Sequence, residues 1–172
     1  MHRSLQQSLK KWTLTPGFEL AFDRDFPQVI ARCSQTPRAG QSGTWIVPAI
    51  VQALDASEHE VLVQAYGFTH NAIAQALVRA HQRGVVVRVL LDEKSRASNR
   101  YVMDVLKQAQ VAQRLDGRHA IAHNKVMVID ESVVITGSFN FTNSAATRNA
   151  ENFLILKSSE LAQRYKGEWH TH

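Results

Sequence analysis

The chain has 172 residues, 44% of them hydrophobic and 20% charged, the composition of one globular domain able to bury a core of its own. A single cysteine, Cys33, excludes an internal disulfide framework. Lys and Arg number 20 against 15 Asp and Glu, a net charge of +5, which suits a polyanionic partner such as nucleic acid or an anionic membrane surface.

Residues 1–43 differ from the rest. They hold Pro16, Pro27 and Pro37, and Arg38–Gly43 reads as a connector. Phe18–Phe22 alternates like a short strand. The first eleven residues carry basic side chains with no apolar core behind them, so they do not read as a signal peptide, and a cytoplasmic chain is expected. The segment is treated as an N-terminal extension, and residues 44–172 as one folded domain.

From Thr44 the pattern becomes regular. Thr44 is placed to cap a helix over 45–56, with Pro48 in its first turn. Glu60–Tyr66 reads as a strand. Ile73, Ala76, Leu77 and Ala80 make the apolar stripe of a helix over 71–83, which Gly84 terminates. Val85–Leu91 is a continuous apolar run, as expected of a strand covered on both faces. A helix over 98–108 and a strand over 111–115 follow. Strands over 125–129, 133–136 and 152–156 and a closing helix over 158–169 complete the chain. Strands alternating with helices predict an α/β fold, a mixed sheet with helices on both faces. Its parallel part comes from the two early β-α-β passes and its antiparallel part from the late hairpin.

Chemistry concentrates in His123–Asp130 and Gly137–Asn140. Side chains two apart on a strand share a face, so His123 pairs with Lys125 and Ser138 with Asn140. With Asp130 and Glu131 as a two-residue hairpin loop, Ile129 pairs with Ser132 and His123 falls opposite Ser138. An imidazole, an ammonium, a hydroxyl and an amide then meet at one end of the hairpin. A neutral imidazole is a competent nucleophile near pH 7, and its protonated form a competent acid. Lys125 and Asn140 can donate to phosphate oxygens as charge builds. Glu151 is the carboxylate nominated to hold the second ring nitrogen of His123.

His123-x-Lys125-x4-Asp130 with Gly137-Ser138-x-Asn140 resembles the HKD motif of the phospholipase D superfamily. Gly137–Thr142 and then Glu151-Asn152 look most like its small bacterial endonuclease branch, whose chains carry one motif each. Ala65–Thr69 and Arg83–Asp92 resemble that branch at matching places, so the likeness runs from Thr44 to His172. The first 40 or so residues do not match its usual start.

The resemblance implies a two-step displacement by two histidines. One His attacks phosphorus to give a phosphohistidine, and a second protonates the leaving oxygen and then activates water. A chain with one motif reaches this by forming a homodimer, with His123 of each subunit meeting across a two-fold axis. The implied catalytic set is His123, Lys125, Asp130 and Glu151, with Lys125, Ser138 and Asn140 on the phosphate. No metal and no other cofactor are implied. Asp130, at its turn, is expected to support structure rather than chemistry. The implied substrate is DNA, with RNA open to the same attack. A phospholipase D acting on phosphatidylcholine-like lipids is the alternative, and a non-catalytic nucleic-acid-binding dimer a third reading.

Blander readings stand beside these. A lone His is more often a core residue, but a lysine two residues along a buried strand is costly without an anion nearby. His119 and His123 are four apart, and His170 and His172 two apart. Zinc on i, i+4 histidines wants a helix, and Gly117 before a strand argues against one there. Arg79, Arg83, Arg96, Arg100, Arg114 and Arg118 are candidates for a DNA-facing groove. Lys94-Ser95-Arg96, after a strand's carboxyl end, is the best placed group.

Overall fold

The computed structural model describes residues 45–172 and, as backbone, the strand at 28–35. The expected strand over Phe18–Phe22 and the Thr44 cap lie outside the described residues. In chain order the elements are β1 (Gln28–Gln35), α1 (Ile46–Asp55), β2 (Glu60–Ala65), α2 (Asn71–Gln82), β3 (Val86–Asp92), α3 (Arg96–Gln108) and β4 (Ala112–Asp116). Then follow β5 (Lys125–Ile129), β6 (Val133–Gly137), α4 (Asn143–Arg148), β7 (Glu151–Lys157) and α5 (Ser159–Thr171).

The strands form one mixed sheet in the order β1-β7-β6-β5-β2-β3-β4. β2, β3 and β4 run parallel, joined by α2 and α3. β5, β6 and β7 add antiparallel on the other side of β2. This is the α/β architecture expected from the alternation of elements.

Side-chain alternation sorts the sheet into two cores. Val61, Val63, Val87, Val89, Leu91, Met127, Ile129 and Ile135 face a large cluster with Ile50 and Leu54 of α1, Ile73 and Leu77 of α2, and Val102 and Leu106 of α3. Leu62, Leu90, Val126, Val128 and Val134 point the other way, onto Ala162 and Trp169 of α5. Both faces being covered explains the near-continuous apolar runs of β2, β3 and β5. Trp169 reaches through to the sheet, its Nε1 donating to the Val63 carbonyl at 3.0 Å.

Gly84 ends α2 in the left-handed region, at φ 92°, where a side chain would be strained. α4 was not expected from the sequence. It is a six-residue helix capped by Thr142, whose Oγ1 accepts from the Ala145 N–H at 3.1 Å.

The β5–β6 hairpin departs from its predicted register. Asp130 and Glu131 do form the turn, both at φ 49°, and Ser132 N–H donates to the Ile129 carbonyl at 3.1 Å. Ser132 is then an extra residue. Its carbonyl accepts from Ser158 N–H at 2.8 Å, and pairing resumes as Ile129 with Val133 through Val126 with Thr136. A one-residue shift moves every later side chain to the opposite face. His123 is therefore not opposite Ser138 across the hairpin.

Candidate active site

β5 starts at Lys125, so His123 lies two residues before the strand, on an irregular approach over 117–124. Two anchors hold that approach in place. Asp92, buried at the end of β3, accepts from Ala122 N–H at 2.8 Å through Oδ1 and from Ser95 N–H at 2.8 Å through Oδ2. Tyr66 N–H donates to the Asn124 carbonyl at 2.9 Å, extending the β2–β5 ladder by one step.

The His123 side chain is exposed, and below it Lys125 is buried at 7% exposure. Lys125 Nζ donates to the His123 carbonyl at 3.0 Å and sits over the Tyr66 ring, 5.5 Å from its centroid. Tyr66 meets His123 edge-on, with ring centroids 4.7 Å apart. An ammonium held in this way is partly desolvated. Burial pushes the Lys125 pKa below its ordinary value, with the Glu151 carboxylate opposing the shift.

Glu151 opens β7 and is buried. One of its oxygens takes the Ser138 hydroxyl and the other the Asn149 amide at 2.8 Å. Ser138 is itself fixed to β7. Its N–H donates to the Asn152 carbonyl at 3.1 Å, and its Oγ accepts from Asn152 N–H at 3.1 Å. Gly137 allows this approach, because a Cβ there would overlap the Asn152 backbone. Among the described residues, the ring nitrogens of His123 have no hydrogen-bond partner, so Glu151 does not hold them within one chain.

Asn140 lies against Gly67, one residue from Tyr66, and its Oδ1 is buried with no hydrogen-bond partner among the described residues. His123 and Lys125 thus meet at Tyr66, Asn140 lies against the neighbouring Gly67, and Glu151 joins the group through its charge on Lys125 and its bond to Ser138. Asp130 is elsewhere, at the far end of β5. Its carboxylate accepts from the backbone N–H groups of Glu58, His59 and Glu60 at 2.8–2.9 Å. This is the structural place expected of it at its turn: it ties the β5–β6 turn to the start of β2, apart from the other residues of the motif.

Two supporting residues escaped the sequence reading. Asn99, fully buried on α3, accepts from Phe68 N–H at 2.7 Å and donates to the Tyr66 carbonyl at 2.8 Å. With Asp92 it fixes the loops on both sides of His123. A polar residue inside the apolar stripe of a helix was the available signal.

The six arginines do not form one groove. Arg79 is committed to Asp55 at 2.9 Å, Arg83 to the Leu54 carbonyl, Arg114 to the face of Trp169 and Arg118 to the Thr171 carbonyl. Arg96 and Arg100 do line an open groove of about 980 Å³ with Lys94 and Lys107, which also carries Glu93 and Asp104.

A family model described as cardiolipin synthase, PLD-like domain, matches residues 50–172. A second, for leucyl/phenylalanyl-tRNA protein transferase, matches residues 1–78, less than half of the chain. A phospholipase D from Rickettsia prowazekii is 40% identical over 141 residues, which cover 79% of this chain and 69% of that protein. A mouse mitochondrial cardiolipin hydrolase is 32% identical over 120 residues, covering 70% of this chain and 54% of that protein. Among solved structures, the phospholipase D family member Nuc from Salmonella typhimurium superposes with a TM-score of 0.71 at 29% identity, covering 81% of this chain and 93% of that one. The chain belongs to the phospholipase D superfamily.

Proposed function

We propose that the chain is a phosphodiesterase that works without a metal ion, with His123 as the nucleophile, and that its substrate is nucleic acid. The observation that carries the reading is a buried ammonium bonded to the backbone carbonyl of the exposed His123, with both side chains against the Tyr66 ring. A phosphate drawn to Lys125 comes within reach of the ring, and Lys125 with the side-chain N–H groups of Asn140 can take up charge on the non-bridging oxygens. His123 attacks phosphorus and the leaving oxygen departs with a proton. Water then attacks the phosphohistidine and restores the ring.

One chain supplies one such imidazole, whereas the scheme needs a nucleophile and a separate proton donor. A homodimer with the two His123 rings facing across its axis supplies both. The ring nitrogens of His123, which have no hydrogen-bond partner among the described residues, suit partners that come from the second copy. Glu151 acts in this scheme on Ser138 and Lys125, holding the hydroxyl and the ammonium toward the phosphate.

Support for nucleic acid comes from the net charge of +5 and the groove of Lys94, Arg96, Arg100 and Lys107. The same chemistry on a phospholipid is the second reading, favoured by the names of the Rickettsia and mouse relatives. Incubating the protein and its His123→Ala variant in excess EDTA with plasmid DNA, and separately with phosphatidylcholine vesicles, separates the two. Nicking that survives chelation and is lost in the variant supports nucleic acid. Headgroup release without nicking supports the lipid.

A further inference from the structure

Asp116 closes β4 with its carboxylate fully buried. Its Oδ2 faces the Nδ1 atoms of two histidines, His119 at 3.1 Å and His172 at 2.8 Å. Oδ1 is occupied by the Arg118 N–H at 2.9 Å. The two imidazoles lie together, with ring centroids 4.8 Å apart, and one ligand atom from each of the three residues lies within 4.8 Å of the other two. By spacing, the histidines group as His119 with His123 and His170 with His172. The fold instead joins one member of each pair, because Arg118 ties the loop after β4 to the Thr171 carbonyl at 2.7 Å.

We propose that Asp116, His119 and His172 form a binding site for a divalent transition-metal ion of the zinc class. Two imidazoles and a carboxylate are a donor set that such ions accept, whereas calcium and magnesium prefer oxygen alone. A tetrahedral ion with bonds of about 2.0–2.1 Å sets its ligand atoms roughly 3.3 Å apart. The observed 3.1 and 2.8 Å need an outward shift of only a few tenths of an ångström. His119, with half of its side chain exposed, is free to make its smaller part; the larger part falls on His172, whose side chain is 17% exposed. In the empty site each Nδ1–H can donate to Asp116 Oδ2; an ion taking their place would leave the neutral rings protonated on Nε2, with both Nδ1 lone pairs on the ion. Further negative charge stands close by: the Glu93 carboxylate lies over Gly117, and Glu93 N–H donates to the Asp116 carbonyl at 3.0 Å.

The ion would be structural. It joins the end of α5 to the loop that runs into His123, and none of its three ligands belongs to the phosphate site. Full-length protein stripped with EDTA and dialysed is titrated with zinc chloride by calorimetry, with thermal unfolding followed alongside. Cobalt(II) serves as a visible reporter of tetrahedral coordination. One equivalent per chain and a higher Tm are expected. His119→Ala and His172→Ala should each weaken zinc by more than the roughly 10–100-fold that loss of an outer-sphere partner costs. The double variant should lose the equivalent altogether. These positions are used because replacing the buried Asp116 threatens the fold itself. No saturable equivalent in the parent protein, or undiminished zinc affinity in the double variant, overturns the proposal. The readout requires no turnover, so its failure is separate from any failure of the His123 mechanism.

Discussion

The ring of Tyr66 stands edge-on to that of His123, centroids 4.7 Å apart, while its face receives the Lys125 ammonium at 5.5 Å. One side chain therefore sets both the direction of the nucleophile and the place of the cation beside it. Misplacing a reacting group by about 1 Å can cost on the order of 100-fold in rate. Tyr66→Ala is expected to lower kcat by roughly 10–100-fold with a small change in KM, and Tyr66→Phe, which keeps the ring, to recover most of the loss. Steady-state kinetics on both variants make the comparison. Equal loss in the two would assign the effect to the hydroxyl instead.

If the proposed chemistry holds, Lys125 is expected to set the alkaline limit of activity. Burial lowers its pKa from the ordinary 10.5, and Glu151 opposes that shift. The ammonium is lost as pH rises through this lowered value, so kcat/KM should begin to fall below pH 10.5. Glu151→Gln removes the opposing charge and moves the limb lower still. A pH–rate profile of both proteins tests the sign, and an upward move in the variant would be incompatible with the geometry.

Asp130 belongs to the motif by spacing and to the scaffold by position. Asp130→Ala strips the acceptor from three backbone N–H groups, at a cost of about 1–3 kcal/mol. In a domain of this size that lowers Tm by on the order of 5 °C. Thermal unfolding should show the loss, with kcat per folded molecule unchanged at low temperature.

Lys166 on α5 bonds Glu131 of the β5–β6 turn and Glu60 of β2, each at 2.6 Å. The two bonds raise its pKa above the ordinary 10.5, Glu131 contributing most. A lysine whose folded pKa is raised contributes its full stabilisation below the unfolded value and loses it as pH rises through the folded one. The gap in Tm between the protein and Lys166→Met should therefore be widest below pH 10.5 and close above it.

Much of this was legible in the sequence because it depends on local periodicity. β5 begins and ends where the apolar run predicts, and the alternation of strands with helices yields the mixed sheet. The motif residues His123, Lys125, Ser138 and Asn140 do gather, yet by a route that spacing did not supply. A single bulged residue, Ser132, reset the hairpin, and a bulge leaves no periodic trace. Ser138 is held to β7 through Asn152, and Glu151 turns to Ser138 and Asn149 rather than to His123. Those choices follow from strands that meet only in three dimensions. The same holds for Asn99 on Tyr66 and Asp92 on Ala122, each a contact across about 30 positions of chain.

The account turns on a covalent bond between His123 and phosphorus. Quenching the protein in EDTA and alkaline detergent with an end-labelled oligonucleotide, then mapping the labelled peptides at alkaline pH by mass spectrometry, looks for that bond directly, because a phosphorus–nitrogen bond survives alkali and not acid. The account predicts an adduct on His123 during turnover and none in His123→Ala, which should also be inactive. Full hydrolysis by His123→Ala, or an adduct on another residue, would contradict it.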